Sequence, residues 1–277
     1  GKTYYLATLL LPPAKRPYVH ALYGLARHAD ELVDDLRAPD PAGLVAWGDG
    51  FLADLARGDS DDPVGRAAVH TARTWGIPAA HFAAFLDAMR MDITVTGYPT
   101  YADLERYMYG SAAVIGLQMV PILEPLDAEA YPRARALGEA FQLSNFIRDV
   151  GEDLCRGRVY LPQEDLDRCG VTRDDLARGL VTDPVRDLLR LEIARARALY
   201  ARAEPGIELL HPSSRDCIRT AFALYGGILD QVERSDYQVL AQRVSVPLRT
   251  RLRVAGPALL RARRARRRCP SGQPRPA

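Results

Sequence analysis

Long apolar runs are missing from this sequence. No stretch of about 18 or more apolar residues occurs in its 277 positions, so no segment reads as a membrane-crossing helix. Cysteine is scarce. Cys155, Cys169, Cys217 and Cys269 are the four present, and none stands in a CxxC pair. That spacing argues against a disulfide framework and against a structural zinc site. Scattered thiols and the lack of a secretory leader pattern give the expectation of a cytoplasmic protein. No GxGxxG nucleotide fingerprint is present. Strand-like alternation is rare, and no fixed-period repeat or long polar linker divides the chain.

Helix-forming residues fill the sequence instead. Hydrophobic residues make up 48% and charged residues 26%, enough to bury a large core in a globular protein. Alanine, leucine and arginine dominate, with apolar positions recurring at three- and four-residue spacing. The class expected is all-α, in one domain. Helices are expected from Pro17 to about Leu36 and over 42–58, 63–74, 79–97, 101–120, 127–154, 183–203, 213–241 and 246–268. Glycine and proline punctuate the gaps between them. The domain is expected to span 1–260, followed by a basic, disordered tail over 261–277. That tail holds Arg261, Arg263, Arg264, Arg266, Arg267, Arg268 and Arg275, which leave the rest of the chain net acidic. A solvated tail and peripheral attraction to anionic lipid are both open readings. No aromatic residues interleave with the arginines, which argues against nucleic acid.

Two acidic stripes carry the chemistry. In the first, Tyr23, Arg27, Asp30 and Asp34 share one helix face. Two like charges a turn apart weaken a helix unless a cation sits between them. In the second, Gln142, Asn145, Asp149 and Asp153 share a face, and Leu143, Phe146, Ile147 and Val150 flank it. A polar seam in an apolar helix needs partners, since unpaired burial costs about 1–3 kcal/mol per group. Mg²⁺, or Mn²⁺ in its place, takes hard oxygen ligands from one or two carboxylates plus substrate phosphates. Metal-side candidates are therefore Asp30, Asp34, Asn145, Asp149 and Asp153. Arg27 and Arg148 stand beside the stripes, where guanidinium groups can grip diphosphate oxygens. Val114, Ile115, Leu117 and Met119 are candidates to line an apolar tunnel, with plain core packing equally open. His20 and His28 lie off the acidic face and read as structural.

These stretches resemble the phytoene/squalene synthase family. Tyr23 to Asp34 is similar to its first aspartate-rich motif. The segment 142–162, QLSNFIRDVGEDLCRGRVYLP, is similar to its second, through Arg158, Tyr160 and Pro162. Lys2-Thr3-Tyr4-Tyr5 resembles an N-terminal element that touches substrate diphosphate. Tyr107 to Gly116 resembles a central helix of small residues, with Ser111-Ala112-Ala113 where many members carry valine-alanine-glycine. Tyr237 resembles a late tyrosine of the family. The resemblance implies an isoprenoid synthase helical bundle around a central cavity. It implies head-to-head condensation of two prenyl diphosphates, geranylgeranyl for phytoene or farnesyl for a squalene-type product. It gives Lys2, Thr3, Arg27, Gln142, Asn145, Arg148 and Tyr237 to substrate, and Tyr23 and Tyr107 to catalysis beside Asp30, Asp34, Asp149 and Asp153. The missing nucleotide fingerprint favours a synthase that does not consume NADPH. A one-substrate terpene cyclase fits the paired DxxxD stripes less well. A non-catalytic assembly protein of the same fold would have lost its acidic ligands.

Overall fold

The computed structural model describes residues 2–34 and 40–269; the side chains of Lys2, Thr3 and Asp34 lie outside the described set. Thirteen α-helices follow one another, with no strand among the described residues. They are α1 (Lys2–Thr8), α2 (Arg16–Asp34), α3 (Pro41–Arg57), α4 (Pro63–Trp75), α5 (Ala79–Thr94) and α6 (Tyr101–Met108). Then come α7 (Val114–Leu123), α8 (Ala130–Cys155), α9 (Gln163–Cys169), α10 (Arg173–Ala177), α11 (Asp183–Ala203), α12 (Pro212–Arg234) and α13 (Leu248–Arg268).

The ends of these helices are written locally. Asp40 and Asp62 accept from the Gly43 and Gly65 amides at 2.8 Å, and a proline follows each in the first turn. Thr100 with Asp103, and Thr172 with Asp175, form capping boxes. Gly58 ends α3 at φ 86°, a left-handed conformation that favours glycine.

α8 runs through the middle and packs against α7, α11 and α12. Its Ala136, Ala140, Leu143, Ile147 and Val150 are buried. The chain comes unusually close around it. A Cβ on Gly138 would stand 2.6 Å from Ala112 O, and one on Gly116 2.6 Å from Ala134 O. Gly110 meets the backbone of α5 at Ala84 in the same way, as Gly116 meets α8.

Three expectations need correction. The helix expected over 101–120 is interrupted by a π-helical turn at Tyr109–Ala113, among small residues that tolerate the wider turn. The helix expected to reach 241 stops at Arg234, because Asp236 and Tyr237 take positive φ of 51° and 61°. The domain does not end at 260. α13 continues to Arg268, with Ala258 and Ala262 buried; Arg261 donates to Asp216 (2.8 Å) and Arg266 to Leu10 O (2.5 Å). An alanine every fourth residue gives this basic helix a packing stripe. Residues 270–277 lie outside the described set.

One buried ion cluster makes stability depend on pH. Arg195 donates to both Asp165 and Glu192 at 2.8 Å, and Glu192 is fully buried. Burial first, and Asp165 beside it, push the Glu192 carboxyl up from 4.5 to about 7 against the pull of Arg195. The folded chain thus holds a proton that the unfolded chain releases. The stabilisation is complete below pH 4.5 and fades as pH rises through about 7. Denaturant unfolding at pH 5 and pH 8 should show a loss of up to about 3 kcal/mol from this group. Glu192→Gln should flatten that slope, and an unchanged slope would reject the assignment.

Candidate active site

A cavity of about 310 Å³ runs beside α8. On that helix its lining extends from Ala130 to Asn145, about 22 Å at the helical rise. The middle is apolar, with Ile115, Met119, Leu137, Phe141, Ile218 and Ala221 among its walls. One end closes on Leu123, Ile207 and Leu210, where the Arg133 stem passes. Arg133 sends its guanidinium out to Arg202 O at 2.8 Å. At the other end the lining turns polar, with Tyr23 from α2 and Gln142 and Asn145 from α8.

Both acidic stripes continue from that polar end. Ala26 lines the cavity and Asp30 follows one turn later; Asn145 lines it and Asp149 follows one turn later. α2 and α8 thus carry their carboxylates past the same mouth of the cavity. Asp149 is only 15% exposed and is clamped by two arginines. Arg148 donates to it at 2.7 Å and Arg243 at 3.0 Å. Arg243 also reaches Glu152 at 3.5 Å. Burial, together with the Asp149 charge, pushes the Asp153 carboxyl up to about 7. On α2, Arg27 holds Asp30 (3.2 Å) and Glu31 (2.9 Å) at the surface.

Among the described residues no three carboxylate, imidazole or thiol side chains already converge on one point. The Asp34, Lys2 and Thr3 side chains fall outside that set. The donor chemistry at Asp149 and Asp153 nevertheless suits a hard dication. Two carboxylates stand one turn apart, and burial with the Asp149 charge beside it shifts Asp153 toward its neutral form, which a dication between them would reverse.

Tyr4, Tyr23 and Tyr225 line the cavity, while Tyr107, Tyr160 and Phe146 form a second aromatic group outside its lining. Tyr4 stacks on Tyr23 at 4.4 Å and donates to Val19 O at 2.6 Å. Tyr225 lines the cavity and stacks on Phe141 at 4.3 Å. Tyr107 is buried and donates to Asp92 at 2.8 Å. The Tyr160 hydroxyl also donates to Asp92, at 3.3 Å, and its ring lies on Phe146 at 4.1 Å. Arg158 donates to Asp92 O at 2.8 Å. Burial, with Asp92 beside it, drives the Tyr107 phenol well above its ordinary range, so it stays protonated.

The sequence-derived candidates are therefore sorted. Tyr23, Gln142 and Asn145 line the cavity, and Asp30, Arg148, Asp149 and Asp153 stand on the helix turns just beyond it. Ile115 and Met119 are walls of the tunnel; Val114 is core, and neither it nor Leu117 lines the cavity. Tyr237 is not brought to the cavity: its hydroxyl accepts from Arg190 at 3.3 Å, with that guanidinium 5.4 Å over its ring. Sequence reasoning missed Tyr225, Asp92 and Arg243. Tyr225 looks like an ordinary core position at helical spacing. Arg243 sits in a non-helical segment, where periodicity is silent.

An apolar cavity inside a helical bundle, ending between two aspartate-bearing helices, defines the all-helical isoprenoid synthase class. The chain belongs to the squalene/phytoene synthase family, whose profile matches residues 1–250. It is 39% identical over 277 residues to the 15-cis-phytoene synthase of Synechocystis, covering 95% of this chain and 82% of that protein. It is 37% identical over 254 residues to the chloroplastic phytoene synthase 1 of Arabidopsis thaliana, covering 89% of this chain. The match spans 60% of the length of that plant protein. Among solved structures, a dehydrosqualene synthase in complex with ligand superposes with a TM-score of 0.87 at 30% identity, covering 93% of this chain and 90% of that one.

Proposed function

We propose that this chain condenses two geranylgeranyl diphosphates head to head, through a cyclopropylcarbinyl diphosphate, to give phytoene and free diphosphate. The observation that carries the reading is the cavity itself: a lining about 22 Å long, as reckoned along α8, apolar until Gln142 and ending between the two aspartate stripes. A prenyl tail fits the apolar length, and its diphosphate then falls among Asp149, Arg148 and Arg243. The phytoene synthase names of the relatives support this choice of substrate.

Asp30, Asp149 and Asp153, with Asp34 on the same stripe, would hold Mg²⁺, and Asn145 adds an amide oxygen. When bound, the metal neutralises the leaving diphosphate as a Lewis acid. The protein's own groups do the rest. Arg148 and Arg243, which hold Asp149, would be the groups to grip diphosphate oxygens. Ile115, Met119, Leu137 and Phe141 exclude the water that would quench an allylic cation. The faces of Tyr23 and Tyr225 offer the cation π density, and Tyr107, fixed on Asp92 outside the cavity lining, stays protonated. No NADPH enters this scheme. A very apolar product makes a membrane surface its natural destination.

Product analysis tests the reading. Purified protein with Mg²⁺ is given geranylgeranyl or farnesyl diphosphate, each with and without NADPH. Phytoene from the longer substrate, without NADPH, is expected. A thirty-carbon product would move the assignment to a squalene-type synthase, the reading favoured by the structural likeness to dehydrosqualene synthase. No product from either substrate would overturn the catalytic reading.

Tail length has its own test. Ala130 lines the cavity at the end of α8 away from Asp149. Ala130→Phe should lower kcat/KM for geranylgeranyl diphosphate by about 10- to 200-fold while sparing farnesyl diphosphate, the discrimination expected of one filled apolar pocket. An equal fall with both substrates would show that the tail does not reach this end.

A further inference from the structure

α13 carries nine arginines and no carboxylate in 21 residues. Three fasten the helix to the protein. Arg251 donates to Val246 O (2.9 Å), Arg261 to Asp216 (2.8 Å) and Arg266 to Leu10 O (2.5 Å). The other six, Arg249, Arg253, Arg263, Arg264, Arg267 and Arg268, are exposed and make no ion pair with any described residue. Leu248, Leu252 and Leu260 on the same helix are 70%, 61% and 57% exposed. Leu260 falls on the arc opposite the buried Ala255, Ala258 and Ala262 and Leu252 on the flank of that arc, among Arg253, Arg263 and Arg264. Large apolar side chains held out in water inside a field of unpaired positive charge do nothing for folding. They suit a surface that is apolar just beneath a negative skin.

We infer that α13 lies flat on an anionic lipid surface, its leucines entering the headgroup boundary and its free arginines on lipid phosphates. The contact is peripheral, since no described helix is long and apolar enough to cross a membrane. The arginines alone would also suit nucleic acid. The exposed leucines do not, and α13 contains no aromatic ring on which a base could stack. The helix is also well placed. It packs on α12, which turns Cys217, Ile218, Ala221 and Tyr225 into the cavity. One helix separates the prenyl cavity from the docking face. This last point rests on the proposed function; the docking itself does not.

Vesicle flotation of the full chain tests it without any turnover, so its failure and that of the catalytic reading are separable. Phosphatidylcholine vesicles are used with and without phosphatidylglycerol, and helical content is checked by circular dichroism. The wild type should float only with the anionic vesicles. The triple variant R263Q/R264Q/R267Q should partition about 100-fold more weakly, from roughly fivefold per basic residue. L248S/L252S/L260S should also bind more weakly while keeping its charge. Failure of the wild type to float, or flotation of both variants like the wild type, would overturn the proposal. So would a single-stranded oligonucleotide that binds the wild type and the leucine variant equally and strips both from the vesicles, which would assign the face to nucleic acid.

Discussion

Asp149→Asn should lower turnover by at least about a thousandfold while leaving the helical spectrum and the unfolding transition nearly unchanged. The size follows from what the carboxylate does. Groups that meet charge developing at a transition state are worth about 10²–10³ singly in kcat, and here one residue serves both the metal side and the arginine side of the diphosphate. The fold does not depend on it. Asparagine keeps the shape, and its one amide oxygen can still accept from the Arg148 and Arg243 Nε groups while the bonds at the other oxygen are lost, so stability should fall by about 1–2 kcal/mol. Glu152→Gln is the internal control. Glu152 is 45% exposed and reaches the outer side of Arg243 at 3.5 Å, so turnover should fall by less than about tenfold. Steady-state kinetics on both proteins decide the matter. Equal effects would show that the charge of the cluster matters and the position of Asp149 does not.

Gly151→Ala should also be damaging, although it removes no functional group. A Cβ there would stand 2.3 Å from Leu240 O and 3.0 Å from Val239 O. The obstacle is backbone, so the segment after α12 must lift away from α8. That segment carries Arg243 to Asp149. Losing a charged partner of diphosphate should cost about 100-fold in kcat/KM, mostly in KM, with about 1–3 kcal/mol of stability lost to the forced shift. Arg243→Gln alone should give a similar kinetic loss. The double variant should be no worse than either single one, because both remove the same contact. Additive losses would show that the glycine acts through another route.

The α8 motif was legible in the sequence because polar side chains there recur at helical spacing inside an apolar helix. Gln142 and Asn145 face the cavity while Leu143 and Ile147 are buried behind them. The α2 stripe was legible for the same reason. Periodicity carried most helices to within a few residues of their ends. It failed where tertiary structure decides. Tyr237 looked like the late substrate tyrosine, but positive φ at Asp236 and Tyr237 turns the chain, and Arg190 takes its ring. Tyr225, at an ordinary helical position, is the late tyrosine that joins Tyr4 and Tyr23 in lining the cavity. The arginine-rich end read as a solvated tail because charge outweighed the alanines spaced four apart, and those alanines are what seat it. Short helices such as α9 and α10 carry too few residues for a period to show.

The wide turn at Tyr109–Ala113 has a consequence for how such a cavity can change over generations. A π turn is one residue longer than the α-helical turn it replaces. Removing a single residue there would close the turn to ordinary α geometry and leave the helix after it in register. Ile115 and Met119 would still face the cavity, and the change would be confined to the stretch of wall at Ser111 and Ala112. One codon gained or lost at this turn can thus reshape one stretch of the wall and spare the rest, whereas the same change inside an ordinary α-helix would rotate everything after it by about 100°.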